Sequence, residues 1–167
     1  MELTAISPEK KGNPVQSEES LYYVIFRIDR QRYALPLDHV IRALRMVAFT
    51  PIPDAPKSVS GMIHMAGQMV PVIDLRRLFG QKGKPPELQD FLLIVRTQDQ
   101  TAAVIVDEVL NIQELLPTQV KSPPAAVSKS RFLKAAFWQD DTMILILDPL
   151  RLLPDNEERK RVGVTSS

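Results

Sequence analysis

The chain contains no cysteine. That removes disulfides, thiolate metal ligands and cysteine nucleophiles together, and it fits a reducing compartment. Histidine is almost as scarce. His39 and His64 stand alone, with no HxH or HExxH spacing, so neither a metal centre nor a metalloprotease helix has support. No GxSxG elbow, GxxxxGKS/T loop or GxGxxG turn occurs, which leaves nucleophilic hydrolysis and phosphate cradling without a signal. The acidic neighbours Asp107-Glu108 and Asp140-Asp141 point to opposite sides of a strand or turn and make a poor shared site. No enzyme, no metal and no cofactor is expected. Charge of one sign is missing too: Lys+Arg is 21, Asp+Glu is 20 and the formal net charge is +1. Such a balance gives no footprint for nucleic acid and no attraction to an anionic membrane. The longest apolar runs are about five residues, such as Met143 to Leu147, where a membrane helix needs about 20. The N-terminal segment lacks the charged start and apolar core of a signal peptide. The expectation is a soluble cytoplasmic protein without direct membrane insertion.

What is present is a series of short apolar runs broken by turn residues. Residues 1–20 and 156–167 are polar or charged and read as disordered tails. From Leu21 the runs "LYYVIFRI", "RYALPL", "DFLLIVRT", "TAAVIVDEV", "RFLKAAFW" and "TMILILD" are rich in β-branched and aromatic residues. "DHVIRALRMV" reads as one turn leading into a further strand, and "TPIPDAP" and "VKSPPAAVSKS" are proline-punctuated loops. No segment keeps a 3.6-residue period over three turns. The fold class is all-β with a few short helices, as a barrel or sandwich.

The two halves echo each other. Moved forward by 69 positions, "YYVIFRIDRQRYALPLDHV" lies over "FLLIVRTQDQTAAVIVDEV". Ile25, Arg27, Gln31, Ala34, Asp38 and Val40 then match Ile94, Arg96, Gln100, Ala103, Asp107 and Val109. A shift of 74 lays "MVPVIDLRRLF" over "MILILDPLRLL". Any two hairpins share an apolar alternation, but identical polar residues at fixed offsets are harder to obtain that way. The reading is a duplicated β unit, about 21–80 and 90–153, each half a barrel of about five strands. Whether strands are exchanged between the halves stays open.

The stretch "GMIHMAGQMVPVIDLRRLFG" (61–80) reads as a hairpin running into a short helix. Gly67-Gln68 suits the central pair of a type II′ turn, with the glycine at positive φ. Asp74 and Asp148 suit helix N-caps rather than catalysis. Pro71 cannot donate to a ladder, so an edge or a bulge is expected there.

That stretch, preceded by "YALPLDHV" and "PIPDAP" and followed by "VIVDEV" and "ILILDPLRLL", resembles the CheW family of chemotaxis coupling proteins. The resemblance covers residues 21–155. It implies a CheW-like fold of two SH3-like five-stranded β-barrel subdomains. It also implies a non-enzymatic adaptor between chemoreceptor cytoplasmic tips and the regulatory domain of a CheA-type histidine kinase, at membrane-associated arrays. Carried over by position, the receptor-binding set is Val40, Gly61, His64, Met65, Ala66 and Gly67. The kinase-binding set is Arg42, Phe49 and Thr50. The family's N-L/I-R-G turn is here His64-Met65-Ala66-Gly67, so a histidine replaces asparagine and an alanine replaces arginine. An arginine there makes charge-assisted contacts that alanine cannot. Two alternatives remain: a coupling protein of another chemosensory pathway, such as twitching motility, with altered receptor coupling, and more remotely a small-molecule-binding double barrel.

Overall fold

The computed structural model describes residues 21–154; both expected tails lie outside them. Ten strands form two five-stranded sheets. In chain order they are β1 (Leu21–Ile28), β2 (Gln31–Pro36), β3 (Val40–Arg45), β4 (Val59–Met65), β5 (Gln68–Asp74), β6 (Phe91–Arg96), β7 (Thr101–Val106), β8 (Glu108–Leu115), β9 (Leu133–Gln139) and β10 (Thr142–Leu147). Two one-turn helices follow the fifth and tenth strands, α1 (Leu75–Leu78) and α2 (Pro149–Leu152). The all-β expectation with few short helices holds.

One sheet runs β8-β1-β2-β10-β9 and the other β3-β6-β7-β5-β4. Each takes a hairpin from one half of the chain and three strands from the other, in the same spatial order. The exchange happens where a hairpin would otherwise continue. After β2, a 3-10 turn at Leu37–His39 carries the chain into β3, which pairs with β6. After β7, the single residue Asp107 separates it from β8, which pairs with β1. Each sheet then closes on itself. The chain beyond β3 bridges Thr50 to Met62 on β4, and the chain beyond β8 bridges Lys121 to Ala136 on β9. Every barrel edge is thereby partly covered, which blunts open pairing groups.

Closure leaves each strand with two buried faces. On β6, Leu92 and Ile94 point into their own barrel, while Leu93 and Val95 join the core between the barrels. On β1, Tyr23 and Ile25 fill the first barrel, and Val24, Phe26 and Ile28 face the second. Strands buried on both sides read as continuous apolar runs rather than as alternation. Each such Leu, Ile or Phe contributes about 1.5–3 kcal/mol on burial. The aspartate caps form as expected: Asp74 accepts from Arg76 N at 3.0 Å and Asp148 from Leu150 N at 3.0 Å.

Pro71 is buried in a strand interior to its sheet, so the expected edge is not at the sheet's margin. Met62, its cross-strand neighbour, spends both backbone groups on Thr50, at 2.8 and 2.9 Å. The Met62–Pro71 pair is therefore a non-hydrogen-bonded one, and the proline nitrogen faces β7. Pairing with β7 begins only at Val72. The missing donor costs the ladder nothing. A register shift does occur nearby, in β4 between Val59 and Gly61.

Candidate surface for partner docking

The β4–β5 hairpin projects from the second barrel. Its last pair is Met65–Gln68, so the turn residues are Ala66 and Gly67, not Gly67 and Gln68. Both have positive φ, +50° and +79°. Two left-handed residues define a type I′ turn, whose twist matches the flanking strands. A β-carbon is disfavoured in that region by about 1 kcal/mol, so Ala66 is strained where asparagine or glycine would not be. His64, Ala66 and Gly67 are exposed and Met65 is partly buried. His64 lies opposite Met69, which is exposed as well.

The remaining expected residues lie elsewhere on the second barrel. Gly61 is buried, and it lies under the closing segment. A β-carbon on it would stand 2.5 Å from the Thr50 carbonyl oxygen and 2.6 Å from Phe49 Cδ1. Its visible role is to let the chain cross, and that crossing brings Gly61 together with Phe49 and Thr50. Thr50 is exposed, whereas Phe49 is partly buried against the core of the second barrel. Arg42 is exposed on β3 opposite Ile94. Val40 is buried between the barrels, paired with Val95. His39 is held by an Nδ1 contact of 3.0 Å to the Arg96 carbonyl, well away from His64 in the pairing order.

Sequence reasoning missed an ion cluster that ties the barrels together. Arg76, the last residue of the "VIDLR" run, is 4% exposed. Its guanidinium donates to both Asp29 oxygens at 3.1 Å and to Asp107 Oδ1 at 2.6 Å. The Asp29 amide in turn donates to Asp107 Oδ2 at 2.7 Å. A helix after one sheet thus clamps the β1–β2 turn of the other and the crossing residue before β8. Burial alone would raise the Asp107 carboxyl, but the hydrogen bonds from Arg76 and Asp29 hold it below the usual carboxylate range. Burial opposes the Arg76 charge, yet its two carboxylates raise its pKa further. Tyr33 is raised by burial and by Asp29. The signal for Asp107 was its match to Asp38 in the internal echo; Asp29 left none.

Among the described residues no three His, Asp or Glu side chains gather as a metal site, and no helix is long and apolar enough to cross a membrane.

A family model described as CheW-like domain matches residues 22–157. The chain is 27% identical over 132 residues to a chemotaxis protein CheW of Helicobacter pylori, covering 78% of this chain and 80% of that one. It is 27% identical over 139 residues to Protein PilI of Pseudomonas aeruginosa, covering 80% and 78%. The crystal structure of scaffolding protein TtCheW from Thermoanaerobacter tengcongensis superposes with a TM-score of 0.71 at 27% identity, over 78% of this chain and 90% of that one.

Proposed function

We propose a coupling function for this chain from one premise: it belongs to the CheW-like domain family. It is a CheW-like scaffold protein, a non-enzymatic adaptor that joins a CheA-type histidine kinase to chemoreceptor tips in the cytoplasm. The observation that carries this is extent. The family match spans residues 22–157 and takes in all ten strands, so the whole described fold is the adaptor.

The mechanism is positional. An adaptor supplies no chemistry; it holds receptor and kinase so that the receptor's state biases the kinase equilibrium. The Arg76 clamp suits that task, because two barrels held rigidly transmit a displacement that two loosely joined ones would absorb. We assign the receptor to the hairpin tip, His64 to Gly67, with Val40 and Gly61 acting from beneath. We assign the kinase to Arg42, Phe49 and Thr50. In support, the tip is exposed and the Thr50 segment lies at the closing seam of a barrel.

A second reading is favoured by one observation. The Ala66 side chain offers no donor where the family turn carries arginine. On that reading the chain serves another chemosensory pathway and couples weakly, or not at all, to ordinary receptors. Reconstitution distinguishes the two. Kinase autophosphorylation is measured with receptor-bearing membranes, with and without this chain. Receptor-dependent stimulation supports the coupling role. Kinase binding without stimulation supports the second reading.

A further inference from the structure

The only tryptophan of the chain, Trp138, is 58% exposed on β9, the edge strand of the first barrel. It stands opposite Met143 in the β9–β10 hairpin. Two residues earlier, Ala136 is buried in the core between the barrels, so Trp138 lies on the same face where that core runs out to the surface. Tryptophan is enriched among the residues that anchor interfaces.

Charge is arranged antisymmetrically about this side chain. Lys134 precedes it on the same strand, exposed, at the register shift of β9 against β10. Lys121 bridges Ala136 and so shares the face of Ala136 and Trp138. From Leu115 to Gln139 the chain carries no Asp or Glu. One residue beyond Trp138, after Gln139, comes the turn Asp140–Asp141, with Asp140 at φ +55°. All four charged residues are exposed, and none has an ion-pair partner among the described residues.

We propose that this face binds a second copy of the same chain, through a twofold axis at Trp138. A twofold reverses β9, so the Lys134 and Lys121 end of one copy meets the Asp140 and Asp141 end of the other, twice over. The same axis, lying between the two packed faces, sets Trp138 and Met143 against their counterparts. A self-complementary patch of this kind is what an isologous interface requires. A net charge of +1 places little long-range repulsion between copies. The face is separate from the β4–β5 tip and from the Thr50 seam, so a dimer leaves both free for the partners proposed above.

The test is sedimentation equilibrium of the full chain over a wide micromolar range, followed in parallel by tryptophan emission. The expected result is a mass rising from 18.8 kDa toward twice that value. Emission moves to the blue and acrylamide quenching falls over the same concentrations. Lys134→Glu weakens self-association at least tenfold, as does Asp141→Lys. Combining the two restores it, because the exchanged charges are complementary again; a variant that merely unfolds is not rescued in this way. A monomer at every concentration overturns the proposal. So does a dimer in which Trp138 stays as accessible to quencher as in the monomer, and so does a blue shift seen only on adding another protein.

Discussion

Gly61→Ala separates a glycine that shapes the fold from one that touches a partner. The added β-carbon would sit 2.5 Å from the Thr50 carbonyl oxygen and 2.9 Å from its carbon. These are backbone atoms, so the neighbour cannot rotate away; the crossing segment must lift. Lifting breaks the reciprocal Thr50–Met62 hydrogen bonds of 2.8 and 2.9 Å, each worth about 1 kcal/mol net. Overpacking of a closed barrel adds about 1–3 kcal/mol. A total of about 3–5 kcal/mol lowers the melting temperature by about 6–20 °C in a chain of this size. Circular dichroism on heating measures it. Phe49→Ala in the same chain removes the 2.6 Å ring contact but leaves the carbonyl clash, so it restores only part of the loss. A Gly61→Ala protein that melts within about 2 °C of the parent would refute the reasoning, and selective loss of receptor binding in it would return Gly61 to the docking surface.

Other outcomes follow from the same structure. Arg76→Met strands a nearly buried Asp107 and costs about 3–5 kcal/mol, read as a lower urea midpoint. Asp107 has its folded pKa depressed, so its stabilisation is fully present above the ordinary aspartate value and is lost as pH falls below about 4. An acid titration of stability should show that loss, and Asp107→Asn should flatten its slope. Ala66→Asn relieves the left-handed strain and stabilises by about 1 kcal/mol, a rise of about 2–4 °C in melting temperature. Ala66→Arg strengthens binding to a receptor-tip fragment; an unchanged affinity would show that the position is irrelevant in this chain.

Much of the fold was legible because burial on both faces writes itself as apolar runs. β1, β6, β7 and β10 could be read directly. β8 could not: "EVLNIQEL" has only Leu115 fully buried, so its pattern carries no strand period. The echo held the missing signal, since the 69-residue shift that lays Val40 on Val109 carries β3 onto the same stretch. The turn was misread by one residue because Ala66 is an unusual occupant of a left-handed position. The candidate site fared less evenly. The exposed tip was visible as a motif, whereas Gly61 and Val40 needed the closed barrel to show that they are buried. Arg76 stood in the quoted motif, but its partners lie 47 and 31 residues away, a distance that no local pattern spans. For Trp138, only the pairing of β9 and its exposure place it on an open face.

The most direct test of the coupling role is calorimetric titration of the full chain with the regulatory domain of a CheA-type kinase from the same organism. The account predicts saturable binding that Phe49→Ala weakens at a pH and temperature where that variant stays folded. A fully folded chain that gives no binding heat, at two temperatures, with any kinase paralogue of the organism would contradict it, and would leave the two barrels as a fold without the assigned partner.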